Sequence, residues 1–314
     1  MNVRNGSPSW DWTAVLSGVV PPLISPLEPS GDADREGMAR LVEHLLEAGC
    51  SGLFVTGGCG EGPWLTSAQR AGVIRAAVDA AGRRAPVLAG VTLPSTGPAC
   101  ESARQLADEG AAALVVTSPY YFAADADAQR RHVEAVLDAT PLPVLLYNIP
   151  QCTHQPFAPE TVGALARHDR VIGIKDSAGD AATYRRFVAV KRDRPAFRVL
   201  QGAETQAAGS LADGGDGLVP GLANVAPAHF VGIRRAAAAG DAAEADRLQE
   251  EVGALGAIYG HGAWISALKA ACALLGIGLG IPARPNEPVD DAQRAAIGAV
   301  MERVGVRVRE PAQG

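Results

Sequence analysis

The chain has little lysine. Lys175, Lys191 and Lys269 are the only three among 28 basic residues in 314, and arginine supplies the rest. No basic stripe or cluster accompanies the net charge of −6. Neither nucleic acid nor an anionic membrane is therefore an expected partner. Cysteine is sparse as well: Cys50, Cys59, Cys100, Cys152 and Cys272 are odd in number, widely spaced and without a CxxC pair. That excludes a zinc ribbon and a disulfide framework and fits a reducing compartment. The six histidines show no HExxH or other metal-ligand spacing, so no metal site is expected. No apolar run reaches membrane-spanning length; the longest candidate, 270–281, is broken by Gly276, Gly278 and Gly280. Residues 1–17 are polar with Trp10 and Trp12 and lack the basic start and apolar run of a signal peptide. These absences together predict a soluble, cytoplasmic protein.

What is present is a rhythm. Apolar residues make up 47% of the chain, with 36 Gly and 22 Pro to punctuate it. Short apolar runs alternate with longer amphipathic ones. Strands are predicted at 18–25, 52–56, 85–91, 112–117, 142–147, 171–174, 198–201 and 217–220. Helices are predicted at 34–48, 67–81, 98–109, 126–139, 159–167, 181–191, 204–212 and 225–239. Met38, Leu41, Val42, Leu45 and Leu46 keep helical spacing, Gly49 stops that helix, and Thr66 is placed to cap the next. Eight units in about 220 residues match a (β/α)8 TIM barrel. An open doubly wound sheet is the alternative, but no GxGxxG or Walker pattern supports it. Beyond 241 the strands stop, and 241–257, 263–275 and 290–304 read as three helices. The expected organisation is an N-terminal extension (1–17), a barrel domain (18–240) and a C-terminal helical region (241–314). The run 263–275 is apolar nearly all round, which predicts burial against the barrel or a second subunit.

In a barrel of this kind the C-terminal ends of the strands carry the reacting groups. One end stands out: Val171-Ile172-Gly173-Ile174-Lys175-Asp176-Ser177, a buried-strand pattern running into a lysine. A lysine there either snorkels to water or is held as a buried amine. A neutral buried amine can condense with a 2-oxo acid to give an imine that stabilises a carbanion at the next carbon. The other strand ends bring Tyr120-Tyr121, Tyr147-Asn148, Gln201-Gly202-Ala203-Glu204 and a glycine turn, Gly57-Gly58-Cys59-Gly60-Glu61-Gly62. A tyrosine phenol can move protons, and successive amides of a glycine-rich turn can hold a carboxylate. Each group also has a plain reading: tyrosines that only pack, a turn that only connects, Cys59 without the glycine of a nucleophile elbow.

Four motifs occur together in order and spacing: Gly57-Gly58-Cys59-Gly60-Glu61, Pro119-Tyr120-Tyr121, Tyr147-Asn148-Ile149-Pro150 and Ile172-Gly173-Ile174-Lys175-Asp176-Ser177. The chain resembles the dihydrodipicolinate synthase / N-acetylneuraminate lyase family over nearly its whole length. The resemblance implies a (β/α)8 barrel, a homotetramer or dimer, and cofactor-free, metal-independent Schiff-base chemistry on pyruvate or another 2-oxo acid with an aldehyde partner. It implies Lys175 as the imine-forming residue, Tyr147 as the proton-transferring tyrosine, and Tyr121 as a relay tyrosine reaching in from a neighbouring subunit. Gly58 and Cys59 fall where backbone amides hold the carboxylate, and Gly202, Val219 and Pro22 where the pyruvyl pocket is lined.

Two departures from the family pattern bear on substrate. Gly58 and Cys59 stand where two hydroxyl residues are usual, so the bridging hydroxyl is missing. Cys152 stands where the synthases carry an arginine that grips the carboxylate of aspartate semialdehyde. The expected activity is therefore cleavage or dehydration of a 2-keto-3-deoxy sugar acid or a 4-hydroxy-2-oxoglutarate-type substrate. The synthase reaction and a non-catalytic 2-oxo-acid-binding role are the alternatives. Gln151, Cys152, Thr153, His154, Glu204 and Thr205 are positioned for the second half of such a substrate, and helix capping equally explains Glu204.

Overall fold

A computed structural model describes residues 9–308. Its centre is one parallel sheet of seven strands in sequential order. They are β1 (Leu53–Val55), β2 (Val87–Val91), β3 (Ala113–Thr117), β4 (Val144–Asn148), β5 (Val171–Asp176), β6 (Arg198–Gln201) and β7 (Gly217–Leu218). Helices pack on the outer face between them, as parallel crossovers require. Several follow the sequence closely. Ser67–Ala81 is capped by Thr66, whose side chain accepts from the Gln69 N–H in a full capping box, and Ala126–Ala139 is capped by Asp125.

The first expected strand is not one. Residues 18–23 run between β7 and β1 but touch each through a single bridge, Val19 to Leu218 and Pro22 to Phe54. The N–H groups of Val20 and Leu23 donate to Leu218 O (2.9 Å) and Phe54 O (2.7 Å). Pro21 and Pro22 have no N–H to extend the ladder. The two sheet edges are nonetheless joined through this segment.

The polar N-terminal extension expected up to residue 17 also needs correcting. Residues 1–8 lie outside the described residues. Trp12–Val15 is a short helix capped by Asp11, and Val15 and Leu16 are buried in the cluster inside the sheet. Among the described residues, the folded unit therefore includes Asp11 to Leu16.

Two apolar clusters divide the strands by face. Phe54, Leu88, Ala113, Val115, Leu145, Tyr147, Leu200 and Val219 fill the inside of the curved sheet. Val55, Leu114, Val116, Leu146 and Val199 face the helices. On β5 this alternation is broken. Val144 pairs with Val171, but Leu145 pairs with Gly173, so one residue is inserted at Ile172. Val171 and Ile174 both join the outer cluster, which strict alternation forbids. Without the bulge, Lys175 would share the outer face with Val171. With it, Lys175 falls beside Tyr147 on the inner face.

Beyond the sheet come Ala242–Leu255, Trp264–Leu274 and Asp291–Arg303. Every residue from Ile265 to Cys272 is buried, as its all-round apolar pattern predicts. Among the described residues, no helix is long and apolar enough to cross a membrane.

Candidate active site

The three lysines meet three fates. Lys191 is half-buried and ion-paired with Asp216 at 2.8 Å. Lys269 is fully buried, paired with the Glu61 carboxylate, and donates to Ile281 O at 2.7 Å. Lys175 is 3% exposed and, among the described residues, has no ion pair. Its amine lies 4.0 Å from the centre of the Tyr147 ring and 5.1 Å from that of Phe54. It does not snorkel. Burial lowers its pKa to about 8, opposed by Cys59, Glu204 and Cys152. At pH 7 roughly one amine in ten is then neutral, against fewer than about one in a thousand for a solvated lysine.

Tyr147 pairs directly with Lys175 across β4 and β5. Burial pushes its phenol well up, and a hydrogen bond with the Ser177 side chain opposes the shift. Ser177 belongs to the lysine motif, but its link to Tyr147 depends on tertiary contact and could not be read from spacing. Behind the lysine, Asn148 donates to Asp176 at 2.7 Å and accepts from the Phe157 N–H at 2.9 Å. That buried pair fixes the ends of β4 and β5 to each other.

The glycine turn follows β1 through Thr56, a β-branched residue in the left-handed region (φ 55°). Such a conformation costs about 1–3 kcal/mol and persists only where the surroundings enforce it. Thr56 is buried, and its hydroxyl accepts from the Gly90 N–H at 3.1 Å. Among the described residues, no other residue accepts the amide protons of Gly58 and Cys59, and the Cys59 amide meets its own thiol. A Cβ on Gly58 would meet nothing within 4 Å, so the missing hydroxyl leaves open space rather than a repacked wall. Cys59 is buried, and desolvation raises its thiol to about 12, with Lys175 opposing. It is no thiolate nucleophile at neutral pH.

The remaining expected residues differ in their burial and in the contacts they make. Gly202 lies against the lysine: a Cβ there would stand 2.7 Å from Lys175 Cε and 2.1 Å from Ser177 Oγ, so only glycine fits. Val219 is buried in the inner cluster, and Pro22 is buried where it bridges Phe54. Glu204 is half-buried and interacts electrostatically with both Lys175 and Cys59. Cys152 is exposed, on the short helix Pro150–Thr153, yet still within electrostatic reach of Lys175. His154 is exposed at the end of that helix in the left-handed region, φ 61°, and among the described residues nothing engages its ring. Tyr121 is 81% exposed and packed edge-on against Phe122 at 5.0 Å. The sequence reading missed Tyr259, which donates to Glu204 Oε1 at 3.3 Å from the C-terminal region. Among the described residues, no cluster of three or more His, Cys, Asp or Glu is arranged to hold a metal ion.

Comparison with known proteins gives this arrangement its context. Residues 15–304 match the dihydrodipicolinate synthetase family. A 4-hydroxy-tetrahydrodipicolinate synthase of Xylella fastidiosa is 33% identical, over 85% of this chain and 87% of its own. A probable 2-dehydro-3-deoxy-D-pentonate aldolase of Escherichia coli is 35% identical, over 78% of this chain and 82% of its own. A prophage protein of the dihydrodipicolinic acid synthase family from E. coli K12, solved in complex with pyruvate, superposes with a TM-score of 0.88 at 30% identity. It covers 92% of this chain and 99% of that one. With the match extending over nearly its whole length, the chain belongs to the dihydrodipicolinate synthetase family of lyases and aldolases.

Proposed function

We propose that the protein is a Schiff-base lyase acting on pyruvate or a related 2-oxo acid, built as a (β/α)8 barrel whose first strand has shrunk to two bridges. The observation that carries this reading is the buried amine of Lys175, without an ion pair among the described residues, beside the Tyr147 ring and within electrostatic reach of Cys59. The neutral amine attacks the ketone carbon, and water leaves as the iminium forms. The amides of Gly58 and Cys59 take the substrate carboxylate. Tyr147 exchanges the protons that this addition and loss of water require, its phenol kept protonated by burial. In cleavage, the proton leaves the C4 hydroxyl, the C3–C4 bond breaks, and its electron pair enters the iminium to give an enamine and an aldehyde. Protonation at C3 and hydrolysis then return the amine.

The aldehyde partner is proposed to belong to a 2-keto-3-deoxy acid. Cys152 offers no cation where the synthases have their arginine, so a second carboxylate finds no bidentate clamp. The pentonate aldolase among the relatives supports the same direction. Borohydride reduction in the presence of pyruvate is expected to fix a pyruvyl adduct on Lys175. Lys175→Ala is expected to stay folded, form no adduct and lose turnover of 2-keto-3-deoxy acids. A folded wild type that forms no adduct excludes the mechanism.

A further inference from the structure

Gly221, just beyond β7, is the point on which three reactive side chains converge. A Cβ built there would lie 3.0 Å from Cys59 Sγ, 3.1 Å from Glu204 Oε1 and 3.3 Å from Tyr259 Oη. The three come from the turn after β1, the 3-10 turn Glu204–Gln206 after β6, and the 3-10 segment Gly256–Gly260 of the C-terminal region. Glu204 is fixed from several sides. Its Oε1 accepts from the Leu222 N–H at 2.5 Å and from Tyr259 Oη at 3.3 Å. Its backbone carbonyl accepts from Gln249 Nε2 at 3.0 Å. The backbone of Gly221 also favours its ionised form, and the residue keeps part of its surface open. An anchored carboxylate on a residue still partly open is a ready acceptor for a ligand hydroxyl, because each of its oxygens can accept more than one bond.

We propose that Tyr259 is a positioning residue that holds Glu204 as the acceptor for a hydroxyl on the aldehyde-derived half of the substrate. The site then takes 2-keto-3-deoxy sugar acids in preference to substrates whose second half ends in a carboxylate. This rests on the Schiff-base reading above and deepens it: of the substrate classes that reading admits, it selects the polyhydroxylated one. A carboxylate beside Glu204 would meet a like charge with no arginine nearby to offset it. A hydroxyl would donate to that carboxylate and leave no buried group unpaired.

The groups that face Glu204 are Cys59, Lys175 and Tyr259. Burial raises Cys59 and Tyr259, so both are neutral at pH 7. Burial also raises Glu204, to about 7, opposed by hydrogen bonds from Leu222, Tyr259 and Gly221 and by Lys175. Acceptance of a substrate hydroxyl requires the ionised form. Removing the Tyr259 hydroxyl takes away one bond that favours ionisation, so the pKa of Glu204 should rise further.

The test is the aldol addition of pyruvate, held saturating, to D-glyceraldehyde, propionaldehyde or glyoxylate as a function of pH. Borohydride trapping on Lys175 is measured in parallel. Wild type is expected to favour glyceraldehyde over glyoxylate and to show an acid limb near pH 7 for glyceraldehyde but not for propionaldehyde. Tyr259→Phe should move that limb upward by about half a pH unit or more, and Glu204→Gln should abolish it. Glu204→Gln should also cut kcat/KM for glyceraldehyde by roughly tenfold or more, mainly through KM. Trapping should persist in both variants, with its pH dependence moved downward in Glu204→Gln, which loses a charge that raises Lys175. If either variant fails to fold, the wild-type contrast between glyceraldehyde and propionaldehyde still decides. Normal trapping with a preference for glyoxylate, or with no acid limb specific to glyceraldehyde, overturns this inference alone. No trapping in wild type overturns it together with the Schiff-base reading.

Discussion

At the scale of the residue, Lys175 is held at an energetic cost. The gap between its pKa of about 8 and the ordinary 10.5 corresponds to roughly 3 kcal/mol. The folded group releases its proton before the unfolded one. The penalty is therefore full below pH 8 and fades as pH rises toward 10.5. Lys175→Met should thus stabilise the fold by about 2–3 kcal/mol at pH 7, with the gain vanishing near pH 10.5. Urea denaturation at the two pH values measures it. An unchanged or lowered stability at pH 7 would mean that the amine is not held against its own solvation. The lysine motif and its strand were legible in the sequence because a run of small and apolar residues ending in a charge is local. Its aim was not. The one-residue insertion at Ile172 that turns Lys175 inward is defined only by pairing with Val144 and Leu145 on β4. The same holds for Tyr259 and Glu204, 55 residues apart and joined by a contact that no spacing rule could supply.

At the scale of the element, two packed junctions make predictions. The turn after β1 is pinned to the helix Trp264–Leu274 by the Glu61–Lys269 pair, both side chains 1% exposed, and by Glu61 Oε2 accepting from the Ala283 N–H at 2.5 Å. Lys269→Met would leave a buried carboxylate unpaired and should cost about 3–5 kcal/mol. Glu61→Gln combined with Lys269→Met should recover most of that loss in thermal unfolding. If the single and double variants are equally unstable, the pair is not what ties the turn down.

The second junction is His132, on Ala126–Ala139, whose Nδ1 lies 3.1 Å from Thr96 Oγ1 of the neighbouring helix Thr96–Asp108. Burial lowers its pKa from 6.5 to about 4. Between those values the unfolded chain binds a proton that the folded chain does not. Stability should fall through that window as pH drops, by up to roughly 3 kcal/mol. His132→Gln should flatten the dependence of the denaturation midpoint between pH 6.5 and 4.5. A curve as steep as wild type would assign the acid sensitivity to other groups. Most helices here followed from periodicity and caps. Residues 18–23 did not behave as a strand because two prolines remove the donors that a ladder needs, although their apolar pattern persists.

At the scale of the whole molecule, Tyr121 and Phe122 are 81% and 80% exposed, an apolar pair standing off the surface with Tyr121 at φ 76°. A bulky residue in that region is strained, and large exposed rings mark contact surfaces. The family resemblance, which implies that Tyr121 serves a neighbouring subunit, expects an oligomer in solution. Phe122→Asp should lower the sedimenting mass and reduce turnover together. A monomeric wild type with full activity would remove Tyr121 from the machinery. The chain-wide order of strands and helices was legible because each βα unit is local and repeated. Which loops meet at the rim was legible only through the barrel's own geometry.

The scarcity of lysine has a practical consequence for peptide chemistry. Trypsin cuts after lysine and arginine, and around the site those residues are Arg170, Lys175 and Arg185. An untouched chain yields 171–175 and 176–185 as separate fragments. A reduced adduct turns Lys175 into a secondary amine that the protease passes over, so 171–185 emerges as one heavier piece. With the other two lysines held in ion pairs, that single uncut peptide reports occupancy of the site directly from a digest.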